Sequence, residues 1–174
     1  MNIQEVWKSE SALSEEFCDN LVRLGKETNH EYGFVNKDTL KTTVRNSRVA
    51  WINNPELTEV FYKCIILANQ EAGWNFDIGS VEVMQFSTYY ERGHYGWHTD
   101  IENSFDPAKV RKLSLVVSLN DDYEGGEFRF FGGKLKLNLS EGEAMLFPAE
   151  PVWIHGTEPV TKGARYSINC FLRQ

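Results

Sequence analysis

Cysteine is scarce in this chain: Cys18, Cys64 and Cys170 are widely spaced and odd in number, and no Cys-x-x-Cys pair occurs. A disulfide framework and a zinc ribbon are thereby excluded, and the three are expected to be buried, reduced thiols. Positive charge is also short, with 18 Lys and Arg against 25 Asp and Glu, a net charge of −7 and a pI near 5.2. Affinity for a phosphate backbone comes largely from basic side chains displacing counterions, so nucleic acid is not an expected partner. No apolar run comes near the roughly 20 residues that cross a bilayer. The first residues, Met1-Asn-Ile-Gln-Glu-Val-Trp, lack the basic and then apolar regions of a secretory signal. The expectation is a cytoplasmic protein that engages no membrane. Internal repeats and low-complexity segments are absent too.

What the chain does contain is a single domain's worth of residues, 1–174, with a hydrophobic share of 41% that suffices for a core of its own. Its patterning changes after residue 76. Residues 1–76 read as helical support with N-terminal strands. A short strand is expected over residues 3–7, then a helix capped by Ser14, with Glu15 and Glu16 in its first turn. Phe17, Leu21 and Leu24 form its buried stripe, and Gly25 is expected to end it. Residues 26–43 read as loop with a short strand, and residues 44–52 as a strand with Arg45, Ser47, Val49 and Trp51 on one face. Asn54 and Pro55 start a second helix that runs to about Gln70, burying Leu57, Val60, Phe61, Cys64 and Ile65, and stops near Gly73.

Residues 77–174 carry a period of two and read as the jelly-roll core. Leu113, Leu115, Val117 and Leu119 alternate as one strand. Glycine pairs at 125–126 and 132–133 bracket an aromatic strand, and Leu135, Leu137 and Leu139 alternate after it. In the last strand Tyr166, Ile168, Cys170 and Leu172 alternate with Arg165, Ser167, Asn169 and Phe171, giving one apolar and one polar face. Two helices with about eight short strands and Gly-rich turns predict an α+β fold, a double-stranded β-helix (jelly roll) flanked by two or more helices.

The chemistry concentrates in a few residues. His98 and Asp100 stand two apart at the end of a strand-like run, so both side chains point to one side. The only His downstream is His155, 57 residues on, and Arg165 follows ten residues later. Singly, each His reads as a half-buried strand residue resting on a backbone carbonyl, and Arg165 as a surface ion pair. Together, two His and one carboxylate are the facial set that holds Fe(II) with coordination positions open, and catalytic zinc accepts the same ligands. Parity puts Arg165 on the polar face of its strand. A buried Arg needs an anion, and the far carboxylate of a keto acid supplies one in bidentate geometry.

On Arg45-Asn-Ser47, Tyr90-x-x-Gly93, Tyr95-x-x-His98-x-Asp100, Arg111, Leu119-Asn120, Glu124-Gly-Gly-Glu127, His155 and Arg165, the chain from about residue 45 to 171 resembles the iron(II)/2-oxoglutarate dioxygenases, prolyl 4-hydroxylase-like branch. The resemblance implies that His98, Asp100 and His155 are catalytic metal ligands, and that Arg165, Tyr90 and Ser167 bind the cosubstrate. It implies that Arg45, Ser47, Tyr95, Arg111 and Phe171 line the substrate pocket, with Trp97 and Trp153 as walls. It further implies Fe(II), 2-oxoglutarate and O2, with ascorbate as an accessory reductant. The implied reaction hydroxylates an aliphatic C–H, most readily of a prolyl residue in a peptide or protein, and yields succinate and CO2.

Two departures bear on substrate rather than on iron. Phe171 stands where peptide-acting relatives commonly carry Trp, and the segment from Tyr90 to His98 is shorter than in some of them. Hydroxylation of a free amino acid or another small molecule is therefore a second expectation. A non-catalytic jelly-roll module that holds a metal and a ligand is a third, and the acidic balance disfavours a nucleic-acid demethylase.

Overall fold

The computed structural model of the protein describes residues 6–10, 12–33, 43–102, 106 and 109–174. β1 (Trp7–Ser9) precedes α1 (Glu15–Glu27), and β2 (Glu31–Tyr32), β3 (Arg45–Asn46) and β4 (Arg48–Ile52) lead to α2 (Pro55–Glu71). Strands then follow: β5 (Ser80–Val81), β6 (Met84–Tyr89), β7 (His94–His98), β8 (Arg111–Ser118), β9 (Glu124–Gly125) and β10 (Phe128–Phe130). After a 3-10 turn at Phe131–Gly133 come β11 (Leu135–Leu137), β12 (Ala144–Pro148), β13 (His155–Thr157), β14 (Val160–Lys162) and β15 (Arg165–Arg173). The first strand lies slightly later than the pattern suggests, and residues 3–5 of the expected one are outside the described residues. No helix among the described residues is long and apolar enough to cross a membrane.

Both helices start where their caps dictate. Ser14 Oγ accepts from the Phe17 amide, and Asn54 Oδ1 accepts from the amides of Glu56 and Leu57, satisfying donors that no helical carbonyl can reach. The expected stop at Gly25 is corrected: α1 continues to Glu27 and Thr28 caps it. Gly25 is buried inside the helix because the chain presses there on Phe86, where an added Cβ would sit 2.4 Å from the ring. The residue serves close packing, not helix termination. The stripe of α2 is also narrower than expected. Phe61, Ile65 and Ala68 are buried while Val60 is 42% exposed and Cys64 is exposed, since one face of a helix can meet a sheet and those two lie a quarter-turn off it.

The larger sheet has the order β1-β12-β8-β15-β6-β4-β2, with β5 also pairing β15, and the smaller one the order β11-β10-β13-β7-β3. All strand pairs are antiparallel, including the β14–β9 ribbon. The single strand expected over 44–52 is interrupted at Ser47. β3 pairs with β7 in the small sheet and β4 with β6 in the large one, so the chain changes sheets there.

Alternation then sorts the large sheet's two faces. Met84, Phe86, Leu113, Leu115, Val117, Ile168, Cys170 and Leu172 join the helices in one core. The opposite face looks at the small sheet. At one end that interior is filled by Phe128, Phe130, Phe147, Met145, Leu139 and Val116. At the other end it stays open, and β4, β6, β7 and β15 line the opening.

Candidate active site

The opening is a cleft of about 980 Å³ whose lining includes His98, Asp100, His155, Tyr89, Tyr95, Gln85, Asn169 and Phe171. β7 and β13 run antiparallel with His98 opposite His155, and Asp100 follows β7 by two residues. These three therefore meet from one sheet. One donor atom from each lies within 4.8 Å of the others, and the side chains are 16%, 11% and 3% exposed for His98, Asp100 and His155.

Their backbone contacts choose the tautomers. His98 Nδ1 donates to the Gly96 carbonyl at 2.8 Å and His155 Nδ1 to the Trp153 carbonyl at 2.9 Å. The two Nε2 atoms are left facing Asp100, at 3.6 Å from Oδ1 and 3.5 Å from Oδ2. An Nδ1–H held by a carbonyl is how ligand imidazoles are commonly oriented. Burial, and then the neighbouring His155, push the His98 pKa down to about 4, so at neutral pH its Nε2 carries a lone pair. Burial pushes the Asp100 carboxyl up, but the two imidazoles outweigh it and hold the group below the usual carboxylate range. Two imidazole nitrogens and one carboxylate converging on a point are a cation site. Packing fixes it further: Tyr95 stacks on His98 with centroids 3.5 Å apart, and Phe128, Phe147 and Phe130 enclose the His155 ring.

Along β15 the inward face carries Arg173, Phe171, Asn169, Ser167 and Arg165. Arg165 is 3% exposed, and among the described residues no hydrogen bond or ion pair meets its guanidinium; its contact is the Tyr89 ring, 5.5 Å from the centroid. Ser167 is fully buried and its hydroxyl has no partner among the described residues. A buried cation and a buried hydroxyl, both unsatisfied, fit a carboxylate ligand, because leaving either group dry and unpaired costs on the order of 1–3 kcal/mol.

Tyr90 is placed differently from the expectation. It follows β6, shares parity with the core-facing Met84 and Phe86, enters the turn closed by Gly93 N–H donating to Tyr90 O, and is 58% exposed. Tyr89, on the parity of Gln85 and Ser87, faces the cleft and lies opposite Arg165 in the register. In a Tyr-Tyr pair the spacing to His98 alone does not select the inward residue.

Of the expected substrate-pocket residues, Arg45, Tyr95, Arg111 and Phe171 line the cleft. Arg45 lies 4.6 Å over the Tyr95 ring and donates Nε–H to Ser47 Oγ, so Ser47 is a support behind the wall. Arg111 stacks on Phe171 at 3.8 Å, but one edge of its guanidinium is taken by Glu82, at 2.6 and 2.7 Å. Arg173 also binds Glu82 and reaches Glu102. Sequence reasoning did not single out Glu82, Glu31 or Arg173, although the period of β15 puts Arg173 on its polar face. The expectation for Trp97 and Trp153 is corrected. Trp97 is 46% exposed on the outside of the small sheet, and Trp153 packs on Phe130, Phe131 and Phe147 away from the cleft. For Trp97 the reason is strand alternation, which turns the immediate neighbour of the inward His98 outward.

Residues 84–173 match the family model for the 2OG-Fe(II) oxygenase superfamily, and the chain belongs to that superfamily. Fe(II) and 2-oxoglutarate, the two groups in that family's name, are consistent with the triad of His98, Asp100 and His155. A PKHD-type hydroxylase of Synechococcus sp. (strain CC9902) is 37% identical over 75 residues, 41% of this chain and 32% of that one. The chain spans between about a third and a half of the length of such curated relatives. Among solved structures, a collagen prolyl hydroxylase of Paramecium bursaria Chlorella virus-1 in complex with 2OG superposes with a TM-score of 0.79 at 23% identity, over 98% of this chain and 96% of that one. A prolyl hydroxylase from Trichoplax adhaerens, in complex with a hypoxia-inducible-factor peptide fragment, gives 0.77 at 18% identity, covering 99% and 84%. These likenesses establish the jelly-roll fold.

Proposed function

We propose that this protein is an Fe(II)/2-oxoglutarate-dependent hydroxylase of the prolyl 4-hydroxylase type, acting on a prolyl residue of a peptide or protein. The observation that carries the reading is the pairing, in one fold, of a buried two-His, one-carboxylate cluster with a buried guanidinium and hydroxyl that have no hydrogen-bond partner among the described residues. In it His98, Asp100 and His155 hold the metal, while Arg165, Ser167 and Tyr89 hold the far carboxylate of the cosubstrate. Tyr89 takes the part expected of Tyr90.

Bound together, Fe(II) and 2-oxoglutarate supply the activation of O2 that splits the keto acid to succinate and CO2 and oxidises an aliphatic C–H. The chain supplies geometry. The Gly96 and Trp153 carbonyls fix the imidazoles, Tyr95 and the Phe128–Phe147 aromatics hold them dry, and Arg165 orients the dicarboxylate. Glu82 takes one edge of the Arg111 guanidinium and the Asp100 carbonyl accepts from its Nη1, so its part is to brace Phe171 on the wall of the cleft. The cleft's volume lies at the upper end of the range for small-molecule sites, which favours a peptide segment over a free amino acid.

The test is turnover: iron- and 2-oxoglutarate-dependent succinate release with a gain of one oxygen on proline-containing peptides. Asp100→Ala abolishes metal binding and turnover. Hydroxylation of free amino acids with none on peptides would move the substrate to the small-molecule class. A protein that binds 2-oxoglutarate without ever consuming it would be a binding module.

A further inference from the structure

Four acids line the cleft: Glu31, Glu82, Asp100 and Glu102. Asp100 belongs to the metal cluster, and Glu82 and Glu102 are held by Arg111 and Arg173. Glu31 has no cationic partner among the described residues. It is nonetheless held in place. β2 pairs with β4 so that Glu31 lies opposite Val49 and diagonal to Trp51, all three on the cleft face. The Trp51 indole Nε1–H donates to Glu31 Oε1 at 2.7 Å. Trp51 is 45% exposed, so part of the indole surface stays open on the cleft.

An oriented carboxylate next to an open indole is a receptor for a cation. The acid supplies charge and acceptor oxygens, the ring supplies its negative face, and the indole's own N–H is already spent on Glu31. Of the cleft's three arginines, Arg111 and Arg173 are engaged by Glu82 and Glu102, and Arg45 lies over the Tyr95 ring and donates to Ser47. We propose that Glu31 and Trp51 form a specificity subsite that reads a lysine or arginine side chain of the peptide, a few residues from the hydroxylated position. This deepens the function proposed above and rests on it.

The experiment incubates the full chain, with Fe(II), 2-oxoglutarate and O2, with a synthetic peptide library randomised on either side of one proline. Hydroxylated members are read by mass spectrometry for wild type, Glu31→Lys, Glu31→Gln and Trp51→Leu, and 2-oxoglutarate affinity is measured beside each variant to report an intact fold. Wild type should favour Lys or Arg over Glu at one flanking position by about 3- to 30-fold in kcat/KM, the sum of an exposed ion pair and a cation–π contact. Glu31→Lys should reverse that preference, and Glu31→Gln and Trp51→Leu should each flatten it. Hydroxylation with no charge preference, or a preference that survives Glu31→Lys, overturns the subsite. If no peptide is hydroxylated while 2-oxoglutarate is still decarboxylated, the peptide reading itself falls, and the subsite falls with it.

Discussion

Arg165 and Ser167 occupy alternate positions of β15 and point into the same interior, 3% and 0% exposed; among the described residues the Ser167 hydroxyl has no hydrogen-bond partner and Arg165 meets only the Tyr89 ring. Protein interiors seldom keep two such groups unsatisfied unless a ligand completes them. Arg165→Ala should weaken 2-oxoglutarate binding by about 10- to 150-fold, the worth of a charge-assisted pair of roughly 1.5–3 kcal/mol. Ser167→Ala should weaken it less. Anaerobic calorimetry with Mn(II) in the metal site reads both, and an unchanged affinity in Arg165→Ala would remove the carboxylate from this pocket.

The adjacent tyrosines separate cleanly. Tyr89 is 5% exposed and touches Arg165, while Tyr90 is 58% exposed outside the cleft. Tyr89→Phe is expected to raise the KM for 2-oxoglutarate several-fold, about what one lost hydrogen bond costs. Tyr90→Phe should stay within error of wild type. The reverse order of effects would return the role to Tyr90.

Glu82 joins Arg111, on the strand beside Asp100, to Arg173. Burial raises the Glu82 carboxyl, but hydrogen bonds from the two guanidinium groups lower it more, and it titrates below the ordinary glutamate value of 4.5. A carboxyl depressed in the folded state contributes stability that is fully present above its unfolded value and is lost as pH falls through the lowered one. Glu82→Gln should therefore cost about 1–3 kcal/mol at neutral pH, discounted for the partial exposure of the cluster. The gap to wild type in urea unfolding should begin to narrow as pH falls below about 4.5 and keep narrowing with further acid. A gap that does not narrow on acidification would assign the loss to packing instead.

Thiol reactivity gives a test of the core. Cys18 is buried, and desolvation followed by the Glu141 carboxylate pushes its pKa up to about 11. Burial pushes the Cys170 thiol up as well, whereas Cys64 is exposed on α2. In the native protein at pH 8 a disulfide reagent should titrate Cys64 alone, with Cys18 and Cys170 reacting only in denaturant. Rapid reaction at Cys18 would show that α1 does not pack as described.

Much of this molecule is legible from local patterns. The caps at Ser14 and Asn54 start helices because their side chains satisfy amides a few residues away. The period of two in residues 165–172 separates a core face from a cleft face whatever the rest of the chain does. For the same reason His98 and Asp100 share a side, and the ligand chemistry of His155 and Arg165 could be named before their positions were known.

What failed to show was decided across long separations. Arg111 and Glu82 are 29 positions apart, and nothing in either neighbourhood announces that one will occupy the other's fork. Gly25 resembles a helix stop until Phe86, from another strand, occupies the space its side chain would need.

Residue chemistry and strand alternation, by themselves, determined which side chains can bind a metal or an anion and which face of each strand carries them. Only the tertiary structure decided that His98 and His155 stand opposite one another, that Tyr89 rather than Tyr90 turns inward, and that Glu31 keeps its carboxylate open beside Trp51. The reason is physical: alternation is set by a residue's own backbone, whereas pairing, burial and the choice of a charge's partner depend on which distant strands share a register.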